Sequence, residues 1–380
     1  MASPRWIVSA ERLMASFVNE NAFTCSWGII GCGNVCEVKS GPAFSEIPGS
    51  ILHAVMRRNP VKAADFAARH NVPVFYSDAE QLIHDPEVDV VYIATPPGTH
   101  AEYALRVCRA GKPAYVEKPM ARNTTECEAM LSAFRQAGLP LFVAYYRRSL
   151  PRFRQVRDWL AEGAIGELTH IDYRYTSPYC GATDMAAMPW RLNAEQAGGG
   201  LFLDLGSHTL DIFDYLFGPL GHVSGDAANM SNINAVEDVV TMQFRVPGDV
   251  LGIASWNFAG PSSEDIIEIS GTRGRITLNC FGNESVRLEN KEGVQTADRP
   301  NPLHIQQPLI QTIVSELNHL GVCPSTGTSA LRTSRVMDAV LEGYYGGRAD
   351  AFWNRPSTWP GNGSQEDGVR KYLNHVRTNP

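Results

Sequence analysis

The sequence predicts an α/β N-terminal domain on a doubly wound parallel sheet, followed by an α+β C-terminal domain with a large, mostly antiparallel open sheet. Three observations predict it. Short apolar runs alternate with helical patterns from residue 25 to about 147, and a glycine-rich turn, Gly31-Cys32-Gly33, follows the first run. Beyond residue 236 the pattern changes to strands separated by turns such as Pro247-Gly248-Asp249. Strand–helix alternation gives a parallel sheet covered on both faces, whereas serial strands give an antiparallel one.

The elements follow in order. Residues 27–30 form a short buried strand, and Gly31-Cys32-Gly33-Asn34-Val35-Cys36 turns into a helix. Small residues here let backbone N–H groups approach a pyrophosphate at a helix N-terminus, although Cys36 stands where the full fingerprint has its third glycine. A tight turn with no ligand is the plain alternative. The second strand, 51–56, ends in Arg57 and Arg58, followed by a helix over 63–69. An NAD site places an acidic side chain here to accept from the ribose hydroxyls. A guanidinium instead pairs with a 2′-phosphate, which favours NADP and makes Arg57, first after the strand, the better contact. NAD is the alternative, with both arginines solvent-facing. A strand over 89–94 is ended by Thr95-Pro96-Pro97, a rigid loop at the ligand edge, and Thr99 or His100 starts the next helix. Residues 114–116 form a strand ending in Glu117-Lys118-Pro119, and 141–146 one ending in Arg147-Arg148.

Composition narrows the classes. A chain of 380 residues divides into two or three domains, here an extension (1–24), a dinucleotide-binding domain (25–147), a substrate and oligomerisation domain (148–346) and a tail (347–380). The extension reads as a short leading helix or a disordered segment, and 355–380, with little to bury, as a surface tail. With 44% hydrophobic and 19% charged residues the chain is ordinary for a globular enzyme, and a formal charge of −7 argues against nucleic acid. No run reaches the ~20 apolar residues of a membrane span. Eight scattered cysteines read as reduced thiols of a cytoplasmic protein, and no metal site is expected.

In the second domain, 153–160 reads as a helix, 168–175 as a strand, and Gly198-Gly199-Gly200 precedes a helix that starts in 201–211 and runs to about 217. The glycine triplet lets another backbone or a ligand come close. At i,i+4, Asp204 and His208 share a helical face. His208 suits proton transfer near neutral pH, Lys118 can hold the reacting oxygen, and Asp204 can orient hydroxyls or raise the basicity of His208. A local Asp204–His208 salt bridge is the structural alternative. Strands follow over 239–246, 250–257, 266–270, 275–279 and 285–288, one face closed by the helices near 153 and 205, then helices over 308–320 and 329–345. The uncovered face suits a subunit interface. Trp256, Phe258 and Phe281 read as packing residues.

With Gly31-Cys32-Gly33, Glu117-Lys118-Pro119 and G-G-G-x-x-x-D-x-G-x-H over 198–208 in this order, the chain resembles the Gfo/Idh/MocA oxidoreductases over about residues 25–346. The pattern is nearest to their NADP-dependent sugar or trans-dihydrodiol dehydrogenase branch. The resemblance implies an N-terminal Rossmann domain and an open-sheet domain carrying a homodimer or homotetramer contact. It places Lys118 by the nicotinamide and reacting oxygen, makes Asp204 the substrate aspartate and His208 the acid/base. It sets Thr95, Pro96 and His100 beside the cofactor, Trp190-Arg191 at the nicotinamide end and Arg57 at the 2′-phosphate. The expected reaction moves a hydride between nicotinamide and a secondary alcohol or ketone of a small polyhydroxylated substrate, a sugar, cyclitol or diol. Alternatives are a glycosidase acting by transient oxidation with tightly held NAD, and a non-catalytic dinucleotide-binding protein. Tyr146, Arg148, Tyr175 and Tyr179 are candidate substrate contacts, each with a packing role as the alternative.

Overall fold

The computed structural model describes residues 23–178 and 189–362, so Tyr179 lies outside the described residues, as do 1–22 of the expected extension. Contacts divide the described residues into two compact units, the first comprising those up to Ala121, Glu126–Gln155 and Arg299–Leu331, the second Arg122–Thr125, those between Val156 and Asp298, and those from Arg332 onward.

The first unit is a six-stranded sheet of β1 (Cys25–Ile30), β2 (Ser50–Met56), β3 (Val74–Tyr76), β4 (Val90–Ile93), β5 (Ala114–Val116) and β6 (Leu141–Val143). Its order is β3-β2-β1-β4-β5-β6, and every neighbouring pair is parallel. The order reverses between β1 and β4, and ligands of such sheets bind in the crevice outside the carboxyl ends of the strands at that point. Strands β1, β4, β5 and β6 are buried along their whole length, which accounts for their continuous apolar sequences. The helix Pro60–Arg69 starts earlier than its apolar pattern, because Asn59 accepts from the Lys62 N–H (3.1 Å) and Pro60 is preset for the first helical position. The three-residue β3, with Phe75 exposed between half-buried Val74 and Tyr76, is too short for its alternation to stand out in a sequence reading.

Residues 299–331, expected in the second domain, pack instead with the first unit. Ala330 and Leu331 join the apolar cluster of Ile30, Ile93, Val116 and Leu141, and Gln306 hydrogen-bonds Tyr115 and Glu117. A contiguous division cannot anticipate a chain that returns to its first core.

The second unit holds an eight-stranded sheet of β7 (Leu168–Thr176), β8 (Gly221–Ala228), β9 (Val239–Val246), β10 (Val250–Asn257), β11 (Glu264–Gly271), β12 (Gly274–Leu278), β13 (Val286–Asn290) and β14 (Gly293–Ala297). The order is β14-β13-β12-β11-β7-β10-β9-β8, antiparallel except for the β7–β10 pair. Both edge strands, β8 and β14, were not expected from sequence. Edge positions lack the apolar alternation that betrays β9 and β10, and only pairing with a neighbour defines them. One face is closed by aromatic packing: Tyr173 meets Trp256 (5.4 Å between centroids) and Phe213 (6.1 Å), Phe244 meets Phe213 (5.4 Å), and Trp256 meets Phe202 (4.8 Å). Leu251 and Ile253 of β10 stand half exposed on the other face. The expected surface tail also needs correction. Trp359 is buried against Tyr344, Tyr345 and Phe352 and donates its indole N–H to the Phe352 carbonyl (2.9 Å), so 352–362 are docked.

Candidate active site

In the first unit, Gly31, Gly33, Arg57, Thr95, Pro96, His100, Glu117 and Lys118 all stand at or just past the carboxyl ends of β1, β2, β4 and β5. The turn is set by Met56, whose carbonyl accepts from the N–H groups of Gly31 (2.9 Å) and Cys32 (3.3 Å). Gly31 has φ +92°, and a Cβ there would fall 2.8 Å from Thr95 Cγ2. Gly33 is different: the nearest atom to an added Cβ is the Gly31 carbonyl oxygen, at 3.8 Å. The protein's own packing does not require glycine at 33, but close approach of a pyrophosphate does. The Gly33 N–H is spent on Gly31 (2.7 Å), so the next donors for an anion belong to Asn34 and Val35, in the first helical turn. The helical turn they begin passes into a π-helical turn at Cys36–Ser40. Cys36 is buried with its Sγ 3.9 Å from the Gly31 carbonyl, and burial pushes its thiol far up, so it supplies small bulk rather than reactivity.

Arg57 and Arg58 part company. Arg57 turns back to the glycine loop and donates from Nη1 to the Cys32 carbonyl (3.4 Å), while Arg58 is exposed. Thr95 and Thr99 join through their hydroxyls (2.8 Å). His100 is fully buried, with Nε2 2.7 Å from the Thr95 carbonyl and Nδ1 3.0 Å from the Pro119 carbonyl. Burial holds its pKa below the ordinary histidine value. The neutral ring has one N–H, so it donates to one of these carbonyls and packs against the other, between the Thr95 and Lys118 loops. Lys118 precedes a cis-Pro119, and Glu117 is buried, its carboxylate accepting from the Lys118 N–H (3.0 Å) and the Tyr92 hydroxyl (2.6 Å). Arg148 is buried and donates to the Pro324 carbonyl (3.3 Å), and Tyr146 is buried beside it.

In the second unit, Asp204 and His208 do not lie on one regular helix. Phe202–Gly206 is a π-helical turn, and the α-helix begins at Ser207 and runs to Phe217. The Asp204 carboxylate accepts from Arg191 Nε (2.9 Å), and that guanidinium also lies over the Trp190 ring (4.5 Å), so these three expected site residues form one group. His208 is buried edge-on to Phe281 (6.1 Å), which in turn meets Tyr175 (5.4 Å). Phe281 thus packs directly beside the acid/base candidate.

The glycine triplet serves another backbone. An added Cβ on Gly198 would lie 2.8 Å from Arg122 Cα, and Gly200 lies against Glu237. Glu237 is buried and accepts from the Gly200 N–H (2.9 Å) and the Tyr345 hydroxyl, while burial raises its pKa. Arg348, also buried, donates to the carbonyls of Gly198 (2.8 Å) and Arg122 (2.7 Å) and to Asp338 (2.7 Å). These residues hold the segment leading to Asp204 and His208. Sequence reasoning missed Glu237, Tyr345 and Arg348, because none belongs to a local motif.

A reversing parallel sheet, an open glycine turn and a lysine at the ligand edge define an NAD(P)-dependent oxidoreductase. The model of an oxidoreductase family with an NAD-binding Rossmann fold matches residues 25–145, and that of the GFO/IDH/MocA C-terminal domain matches residues 153–277. An oxidoreductase of Formosa agariphila is 35% identical over 322 residues, covering 82% of this chain and 97% of its own. The trans-1,2-dihydrobenzene-1,2-diol dehydrogenase of Mus musculus is 30% identical over 254 residues, 66% of this chain and 74% of its own. A structure of levoglucosan dehydrogenase with NADH superposes with a TM-score of 0.77 at 22% identity, over 84% of this chain and 96% of that one, a likeness of fold. The chain belongs to the GFO/IDH/MocA oxidoreductase family. Among the described residues no helix is long and apolar enough to cross a membrane.

Proposed function

We propose that this protein is an NADP(H)-dependent dehydrogenase or reductase acting on a secondary alcohol or ketone of a sugar, cyclitol or related diol. The observation that carries the reading is Lys118, held at the carboxyl end of β5 through its backbone by buried Glu117, in the same unit as a glycine turn open at Gly33. The names of relatives support the substrate class, among them dihydrodiol dehydrogenases, the 1,5-anhydro-D-fructose reductase of Ensifer adhaerens and the levoglucosan dehydrogenase of Pseudarthrobacter phenanthrenivorans.

The bound nicotinamide would supply the hydride acceptor or donor. His208 takes or returns the hydroxyl proton, its ring packed edge-on to Phe281. The Lys118 ammonium stabilises negative charge developing on the reacting oxygen. Asp204 acts as a paired carboxylate, so it receives substrate hydroxyls in company with Arg191. Gly31, Gly33, Asn34 and Val35 form the pyrophosphate cradle, Thr95, Pro96 and His100 shape the loop beside it, and Trp190-Arg191 is assigned to the nicotinamide end by the family pattern. Arg57 favours NADP because its guanidinium already lies against the turn that follows β1. The open-sheet face with Leu251 and Ile253 is the proposed homodimer or homotetramer contact, and the protein is proposed to work in the cytoplasm.

Titration of the purified protein with NADP, NADPH, NAD and NADH, after mass spectrometry for retained cofactor, tests the reading. Selective reversible NADP(H) binding is the expected result, and Arg57→Asp should move preference toward NAD by roughly 2 kcal/mol. NAD retained through purification, with turnover but no net change in NADPH, would replace the reading with redox-recycling glycoside hydrolysis.

A further inference from the structure

Behind Lys118 lies a buried polar cluster assembled from four distant parts of the chain. Glu117 Oε1 accepts from the Tyr92 hydroxyl (2.6 Å) and from Gln306 Nε2 (2.6 Å), while Oε2 accepts from the Lys118 N–H (3.0 Å). Gln306 is wholly buried, its side-chain oxygen accepts from the Tyr115 hydroxyl (2.8 Å), and its backbone N–H donates to the Lys39 carbonyl (3.2 Å). The neighbouring Ser40 hydroxyl lies 3.4 Å from the Tyr92 hydroxyl. The cluster therefore runs from the helical turn after Gly33 to the backbone of Lys118.

Hydrogen-bond direction fixes its chemistry. An ionised carboxylate only accepts, so the amide NH₂ of Gln306 must face Glu117, and its carbonyl end is then the acceptor for Tyr115. Burial holds both tyrosines well above the usual phenol range, so they remain donors. Gln306 precedes the helix Gln307–Leu317 in the capping position, yet its side chain makes no cap and is spent on Glu117 instead.

We propose that Gln306 is a positioning residue for the reaction: with Tyr92 and Tyr115 it holds the Glu117 carboxylate in place, and Glu117 in turn fixes the backbone of Lys118. The inference rests on the reading of Lys118 as the cation facing the reacting oxygen. Removing the Gln306 donor leaves the Glu117 carboxylate with one hydrogen bond fewer and frees it to turn, so the backbone of Lys118 loses its fixed place.

The test compares Gln306→Met, close in volume but without a donor, with Tyr115→Phe, which keeps the ring and removes one hydroxyl. Both are measured for kcat, substrate KM and NADP affinity. Expected for Gln306→Met are a fall in kcat of about tenfold, with substrate KM and NADP affinity within about twofold, a split that loss of general stability would not give. Tyr115→Phe should move the same quantities in the same direction by less. Against a Lys118→Met background Gln306→Met should add no further loss, because both act at one amine. An unchanged kcat in Gln306→Met overturns the proposal, and so does a full additional loss in the double variant. Lys118→Met with unaltered turnover would instead overturn the reading of Lys118 itself.

Discussion

Replacing Gly33 by alanine should separate folding from cofactor binding. The backbone at Gly33 does not need the left-handed region, and an added Cβ approaches no protein atom closer than 3.8 Å. Alanine at such a site restricts the unfolded chain and stabilises by about 0.4–1 kcal/mol, which raises the melting temperature by roughly 1–4 °C. The methyl group occupies the space through which a pyrophosphate would reach the turn. Loss of one charge-assisted hydrogen bond costs about 1.5–3 kcal/mol, roughly ten- to hundredfold in Kd. At a dinucleotide concentration of about 100 times the unaltered Kd, ligand stabilisation would fall from about 2.7 to about 0.4 kcal/mol for a hundredfold loss. Gly31→Ala is the control. With φ +92° and 2.8 Å to Thr95 Cγ2, it should destabilise the unbound protein by about 1–3 kcal/mol. Thermal melts with and without NADP, supported by calorimetric titration, measure both quantities. A Gly33→Ala protein that binds dinucleotide as tightly as the unaltered one would refute the placement of the pyrophosphate at this turn.

Lys118→Met should leave the melting temperature and NADP affinity near their original values while lowering kcat by ~100-fold or more, read by steady-state absorbance at saturating cofactor. Turnover at the original rate would remove Lys118 from the chemistry. Glu37, paired to Arg69 (2.6 Å) and His70 (2.7 Å), is held down to about 2 from an ordinary 4.5. Its folded-state pKa is depressed, so its contribution is present above pH 4.5 and lost as pH falls toward 2. Urea midpoints of the native protein and of Glu37→Gln should differ at pH 6 and converge near pH 2, in proportion to that shift. A pH-independent difference would assign the effect to packing.

Much of this protein is legible in its sequence because the information is local. Continuous apolar runs over β1, β4 and β5 mark strands buried on both faces, and alternation marks β9 and β10. Gly31, Gly33, Lys118, Asp204 and His208 declare themselves through fixed spacing within short motifs. The tertiary structure alone decided matters that depend on distant pairing. The edge strands β8 and β14 exist through their neighbours, and residues 299–331 return to the first core because Gln306, Ala330 and Leu331 find their partners there. The triplet at 198–200 was read as room for a backbone or a ligand, and only Arg122 and Glu237 show that a backbone fills it. Glu117 looked like part of a cofactor motif, yet its carboxylate is bound to Tyr92 and to Gln306, 189 residues away. Sequence spacing records which groups a chain carries, whereas burial and hydrogen-bond satisfaction, which fix what each group does, arise only when remote segments meet.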